Sequence, residues 1–297
     1  MLLDRHTLAL VGVTAIWGST FVVVKDAVEQ LPVTDFLTWR FALAAAVMVL
    51  LRPRALAALG PQGRRVGVVL GLALGAGYLL QTLGLQHTSA AVSGFITGMF
   101  VVLTPLLSAL LLRQSPGGPA WAAVALATIG LGLLSLRGLS VGSGELLTLG
   151  CAAAFALHIV GLGRWAKQYD AFGLAVVQLL TTAALCGLVA VPGGLATPPS
   201  ASVWWALALT AVAATAVAFV VQTWAQAHLS PTRAAVVMTM EPVFGGLFAI
   251  GLAGEVLGPR AVAGAVLVLA AMLLTEVPRR GAGPNEPVVG AVARLEQ

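Results

Sequence analysis

Gln81-Thr82-Leu83-Gly84-Leu85-Gln86-His87-Thr88-Ser89 returns, 141 positions later, as Gln222-Thr223-Trp224-Ala225-Gln226-Ala227-His228-Leu229-Ser230. The apolar residues change between the two copies, while the Gln-Thr pair, the His and the last Ser stay. The register continues without a gap: 8 identities fall in the 34 positions from 81 to 114, Met99 with Met240 among them. In weaker form the whole of 73–133 reappears at 214–274. Shared Val and Leu mean little in so apolar a chain. Polar side chains are costly there, so their recurrence marks an internal duplication. Duplicated bundles of apolar helices are the mark of a carrier built from two related halves.

Of the 297 residues, 59% are hydrophobic and 9% charged, against about a quarter charged in a soluble domain. With a mean hydropathy of +0.98, the chain exposes more apolar surface than a water-soluble fold can hide, so its solvent is lipid. The net charge of +5 does not point to nucleic acid, because the basic residues lie in short segments between apolar runs. Cys151 and Cys186 sit inside apolar runs without metal-ligand spacing and are expected as buried free thiols. The N-terminal run reaches Trp17 and Lys25 without an evident cleavage signal and is taken as a retained first span.

About 20 apolar residues cross a bilayer as a helix. Such runs fall at 7–28, 34–52, 66–86, 90–112, 118–136, 143–164, 171–191, 203–225, 232–252 and 260–276, separated by Pro, Gly and polar breakers. They are continuous and lack two-residue alternation, which excludes a barrel. With the N-terminus placed in the cytoplasm, 12 basic residues fall inside and 3 (Lys25, Arg137 and Arg260) outside, while Arg40 lies within the second span. This bias puts both termini in the cytoplasm. Spans 3–5 match spans 8–10. A shift of five spans reverses direction, so the fold class is an all-α membrane protein of ten helices in an inverted five-plus-five repeat. Spans 1 and 2 match 6 and 7 faintly, near an offset of 138, where Trp17 faces Phe155 and Arg40 faces Gln178. The first repeat covers 1–137 and the second 138–277. Residues 278–297, rich in Pro, Gly and charge, read as a flexible cytoplasmic tail.

The motifs now on the page resemble those of EamA-type transporters of the drug/metabolite transporter superfamily over nearly the whole chain. They are Ala15-Ile16-Trp17-Gly18-Ser19-Thr20-Phe21 with Lys25, Trp39-Arg40-Phe41, Thr88-Ser89-Ala90, Gly94-Phe95-Ile96-Thr97-Gly98, Leu103-Thr104-Pro105-Leu106, and Glu241-Pro242-Val243-Phe244 with Gly254-Glu255. The first half departs from this pattern, carrying Arg113-Gln114 where the second has Gly254-Glu255. The resemblance implies a bacterial inner-membrane carrier, often an exporter of amino acids or other small metabolites.

The candidate substrate-binding residues are Trp17, Thr20, Tyr78, Gln81, Phe95, Met99, His158, Gln222 and Glu241. Glu241 lies near the middle of a span, where a carboxylate costs several kcal/mol, about 2.5–3.5 for Asp on insertion scales. It is the candidate for proton coupling, or for meeting a substrate amine. Its counterpart in the first repeat is Phe100. Arg40, closer to a span end, can snorkel to water or pair with Asp35 or Asp26. His158 can titrate near neutral pH, or simply pack with a hydrogen bond. Gln81 and Gln222 offer donor and acceptor to a zwitterion or bridge helices. Trp17 is mid-span, outside any interfacial belt, and its indole N–H can meet a ligand. Gly71 with Gly75, Ala73 with Gly77 and Gly94 with Gly98 allow close helix approach. Pro105 and Pro242 are expected to interrupt spans 4 and 9.

The reading is an alternating-access secondary transporter with its site among spans 1, 3, 4, 6, 8 and 9, and with spans 5 and 10 peripheral. Its partners are a small-molecule substrate and the lipid bilayer, with the protein working as a monomer or homodimer. No nucleotide is expected, since no phosphate-binding Gly-rich loop occurs, no metal, since no second His, Cys or carboxylate is spaced to join His158 as a ligand, and neither nucleic acid nor a cofactor is expected. A carrier for drugs, sugars or nucleotide precursors is the alternative within the class. An integral membrane enzyme is the alternative outside it, opposed by the lack of a nucleophile–base set at one membrane depth.

Overall fold

In the computed structural model the described residues are 4–88, 90–114, 116–135, 142–253 and 258–276. They are helical almost throughout, without a strand. In chain order the helices are α1 (Arg5–Val28), α2 (Val33–Leu51), α3 (Ala55–Ala58), α4 (Gly60–Leu85), α5 (Ala90–Gly98), α6 (Phe100–Leu112), α7 (Gly118–Ser135), α8 (Ser143–Trp165), α9 (Ala171–Ala190), α10 (Ala201–Ala211), α11 (Ala218–Gln226), α12 (Pro231–Met238), α13 (Glu241–Ala253) and α14 (Pro259–Glu276). A π-helical turn, Val212–Val217, joins α10 to α11. Six of the helical stretches are each long and apolar enough to cross a membrane. The Gly254-Glu255 pair and the 278–297 tail lie outside the described residues.

The duplication is written into the element bounds. Adding 141 to the limits of α4 gives 201–226, the span of α10 through α11, and the same shift carries α6 onto α13 and α7 onto α14. An offset of 138 carries α2 to 171–189, within α9, and α1 onto α8 to within one residue. The faint sequence match of the first two spans thus coincides with matching helix limits. Packing obeys the same exchange. α1 packs on α13 as α8 packs on α6, α4 packs on α8 and α9 as the α10–α11 stretch packs on α1 and α2, and the repeat mates α7 and α14 pack on each other.

Two expectations need correction. Pro105 lies inside α6 and interrupts nothing. The breaks fall at Met99 and at Thr239-Met240, ahead of both prolines. They occur at equivalent places because both copies release the helix at the same methionine, and Pro242 then sits in the first turn of α13, where a missing N–H costs least. The small-residue pairs also divide unequally. A methyl group on Gly71 would lie 2.7 Å from the Gln178 carbonyl oxygen, so α4 and α9 touch backbone to backbone there, whereas Gly94 has open space around it. Gly60 adopts φ +69°, the left-handed turn that separates α3 from α4.

Four apolar clusters fill the described bundle, and the two largest share its interior. One gathers residues of α1, α6, α7, α8, α11, α12, α13 and α14, the other residues of α2, α4, α9 and the α10–α11 stretch. Trp17 and Phe155, repeat mates, pack against both. Cys151 and Cys186 are buried free thiols, as the sequence implies.

Candidate functional site

Where the two cores meet, Arg40 is the centre of the polar structure. It is 7% exposed and is held by the widened turn between α10 and α11. Its Nε donates to Thr215 Oγ1 at 2.7 Å and its Nη2 to the Ala214 carbonyl at 3.2 Å. The Trp17 indole N–H donates to the same Ala214 carbonyl at 2.8 Å. A π-turn disturbs the regular helical ladder, and such turns collect at functional sites. Two side chains from the first repeat thus clasp the one widened turn of the second. Arg40 does not pair with Asp35, whose Oδ2 instead accepts from the Ala196 N–H at 3.0 Å. The Asp26 side chain lies outside the described residues.

Aromatic rings line the ground around this clasp. The Arg40 guanidinium lies 5.8 Å from the Phe41 ring centre and 6.0 Å from that of Tyr78, within cation–π range. Tyr78 meets Phe41 edge-on at 4.9 Å and Phe155 at 5.4 Å. Phe219 follows at 5.8 Å from Trp17 and 6.4 Å from Phe41.

Glu241 is the first residue of α13 and keeps part of its surface accessible. A carboxylate there faces the unsatisfied N–H groups of a helix start, which favour negative charge. Among the described residues it has no ion pair or hydrogen-bond partner. Arg40 and Tyr78 are its electrostatic neighbours. Gly18 brings this helix start close. A methyl group on Gly18 would lie 2.9 Å from the Glu241 carbonyl oxygen and 2.7 Å from the Gly245 nitrogen.

Of the sequence-derived set, Trp17, Tyr78 and Glu241 are linked to Arg40 by a shared acceptor, a ring contact or its charge. Thr20 is buried and returns its hydroxyl to the Trp17 carbonyl at 2.8 Å. His158 is 2% exposed and shares a 2.7 Å hydrogen bond with Gln178, behind Phe219. Gln81 donates to Thr97 Oγ1 at 3.2 Å. At the mate position of Thr97 stands Met238, so Gln222 donates to a thioether at 3.8 Å, while its buried carbonyl oxygen has no protein partner. Phe95 packs on the first core and Met99 caps α6. Sequence reading gave too little weight to Arg40 and passed over Phe41, Phe155 and Phe219. The Trp39-Arg40-Phe41 motif was the available signal for the first two. No sequence signal announced the widened turn.

At the chain's start, outside the first apolar run, a second polar cluster ties α1 to α12. Asp4 accepts from the N–H groups of His6 and Thr7 at 2.7 and 3.0 Å and pairs with Arg233. His6 stacks on His228 at 4.1 Å, with Trp224 beside both. Burial alone would raise the Asp4 carboxyl, but those N–H groups and Arg233 outweigh it and hold it below its ordinary value. Burial, then the neighbouring His228 and Arg5, lower His6 against the pull of Asp4.

Comparison with known proteins agrees with this geometry. The EamA-like transporter family matches the chain twice, over residues 6–136 and 142–277. A protein of Archaeoglobus fulgidus described as an uncharacterized transporter is 32% identical over 271 residues, covering 91% of this chain and 85% of that one. A crystal structure of a protein at 19% identity superposes with a TM-score of 0.79, covering 92% of this chain and 97% of its own, and so shares the fold. Two matched segments, one per repeat, together span nearly the whole chain: the protein is a multi-pass membrane transporter of the EamA-like family.

Proposed function

We propose that the protein moves small amphipathic metabolites bearing an amine, most simply amino acids, out across a bacterial inner membrane by alternating access. In this reading ten spans form an inverted five-plus-five repeat with both termini in the cytoplasm. The substrate sits between the halves, beside Trp17, Tyr78 and Glu241, with Arg40 and Phe155 completing the wall. What carries the reading is the presence, in one interior lined by aromatic rings, of a carboxylate without a protein partner on a partly accessible residue, Glu241, and a clasped guanidinium, Arg40. An α-amine matches Glu241, an α-carboxylate matches the guanidinium and the α13 start, and an apolar side chain matches the rings. Repeat-related helices that exchange neighbours supply two equivalent packings, which is what alternating access requires. Glu241 is also the group placed to exchange a proton against substrate.

Counterflow into liposomes holding the purified protein, over a panel of metabolites, tests this. Saturable flux of amino acids is expected, together with a pH change that depends on substrate. Glu241→Gln is expected to abolish that pH change and cut flux by about tenfold or more, the equivalent of about 1.4 kcal/mol, with an unchanged melting profile. Flux restricted to neutral sugars, or Glu241→Gln at wild-type rate, overturns the reading.

A further inference from the structure

Away from the interior, α4 and α9 are separated at one end by an open groove of about 400 Å³. Its wall is apolar: Leu56, Val68, Val177, Leu180 and Ala184, with the Thr181 hydroxyl turned back onto the Val177 carbonyl at 2.8 Å. Positions 177, 180, 181 and 184 share one face of α9 and run about 10 Å along it. Beside the groove Gly67 and Gly71 let α4 press onto α9, where a methyl group would lie 2.7 Å from Val177 Cβ and 2.6 Å from Thr181 Cβ. The side chains of Val68 and Leu180 stand outside this contact, 41% and 40% exposed.

Arg64 closes the groove at the α4 start. Its Nε donates to the Gly60 carbonyl at 3.3 Å, which leaves the two terminal nitrogens without a partner among the described residues. The exposed Arg65 follows it in sequence, without a carboxylate partner among the described residues. Asp170 is already taken by Arg52 at 2.9 Å. The corner therefore carries uncompensated positive charge at the head of an apolar channel.

The repeat supplies an internal control. At the mate positions Arg64 becomes Trp205, Arg65 becomes Ala206, Val68 becomes Leu209 and Val177 becomes Trp39. At that opposite corner Trp39 meets Trp204 edge-on at 5.7 Å and donates to the Ala196 carbonyl at 3.0 Å. The helical scaffold is common to both corners, and the Arg64–Arg65 charge belongs to one.

We infer that this groove holds an anionic phospholipid, its phosphate on Arg64 and one acyl chain along Val68, Val177, Leu180 and Ala184. A guanidinium with free terminal nitrogens suits phosphate geometry, and basic pockets between spans take acidic headgroups. The inference requires a bilayer and a surrounding lipid. It is independent of the substrate and of the transport direction.

The test uses the full-length protein in mild detergent, given phosphatidylglycerol or phosphatidylcholine of the same acyl chains. Native mass spectrometry counts retained lipid. Phosphatidylglycerol is expected to be retained in preference and to raise the melting temperature. Arg64→Gln is expected to weaken its retention about fivefold, the effect of about one surface cation. Val68→Trp, which fills the channel and leaves the charge, is expected to remove the retained lipid as well, while Arg260→Gln at a different site leaves it unchanged. Equal retention of the two lipids overturns the proposal, as does undiminished retention by Arg64→Gln or Val68→Trp. A dimer dispersed by Val68→Trp without added lipid also overturns it, assigning the groove to a second copy of the chain.

Discussion

Arg40 on α2 and Gln178 on α9 occupy equivalent places in the two repeats, yet they do different work. Gln178 bonds His158 on the neighbouring α8, a buried pair beside the unbroken helix α4. Arg40 reaches into a widened turn and shares the Ala214 carbonyl with Trp17. The same contrast holds at the two helix breaks, where Phe100 begins α6 and Glu241 begins α13. Duplication supplied one scaffold twice, and the interior acquired its charge in one direction only. A carrier needs two exchangeable halves to switch and one fixed set of groups to bind, so scaffold symmetry with chemical asymmetry meets both needs.

The sharpest way to break this comparison is to treat the two mates alike. Arg40→Gln strips Thr215 of its donor and Glu241 of the cation acting on it. It is expected to lower liposome flux by about tenfold or more, whereas Gln178→Ala is expected to cost flux little. Equal losses from the two variants would erase the functional asymmetry. Arg40→Lys, which cannot fork across two acceptors, should fall between.

Gly18→Val probes the α1–α13 contact. Its new Cβ would meet backbone atoms at 2.7–2.9 Å, and the overpacking is expected to cost about 1–3 kcal/mol in thermal denaturation. Gly12, with open space around it, serves as the control, and Gly12→Ala should leave the melting temperature nearly unchanged.

A smaller contrast separates Thr97 from its mate Met238. Thr97→Val removes the hydroxyl that Gln81 meets and should destabilise by about 0.5–1.5 kcal/mol. Met238→Leu, which loses a thioether contact and keeps volume, should cost less. The reverse ranking would mean that Gln222, not Gln81, is the better-satisfied mate.

The smallest expected effect is acid weakening of the Asp4–Arg233–His6 latch, which has no charged mate pair among the described residues. Asp4 and His6 both titrate below their ordinary values in the folded chain. Each therefore contributes stability above its unfolded pKa and loses it as pH falls through the folded value. Hydrogen exchange at the start of α1 should rise first as His6 protonates, below about pH 6.5, and again as Asp4 does, below about pH 4. With Asp4 40% exposed, solvent screening keeps its share at about 0.5 kcal/mol or less. Asp4→Asn should remove the lower step and leave the upper one.

Much of this molecule is legible in the chain. Helix limits follow from runs of apolar residues against Pro, Gly and polar breakers, because a bilayer tolerates backbone only when its hydrogen bonds close locally. That rule put most helix ends within a residue or two. It failed at α4, which starts at Gly60 and carries the exposed Arg64 and Arg65 inside the helix, since charged side chains can extend from the first turns of a helix into water. Trp17 and Glu241 were legible because each is out of place at mid-span. Arg40 was misjudged because a long side chain near a helix end can reach water, and only its contacts show that it turned inward.

The order of polar and apolar residues, repeated at a fixed offset, determined the helices, their duplication and the family on its own, since each is a local or periodic property. The widened turn at Val212–Val217, the clasp of Arg40 and Trp17 upon it, and the engagement of His158 by Gln178 and of Gln81 by Thr97 were decided by tertiary structure. Those depend on which faces of distant helices meet, and a hydrogen bond across 174 residues leaves no trace in the local pattern that produced each helix.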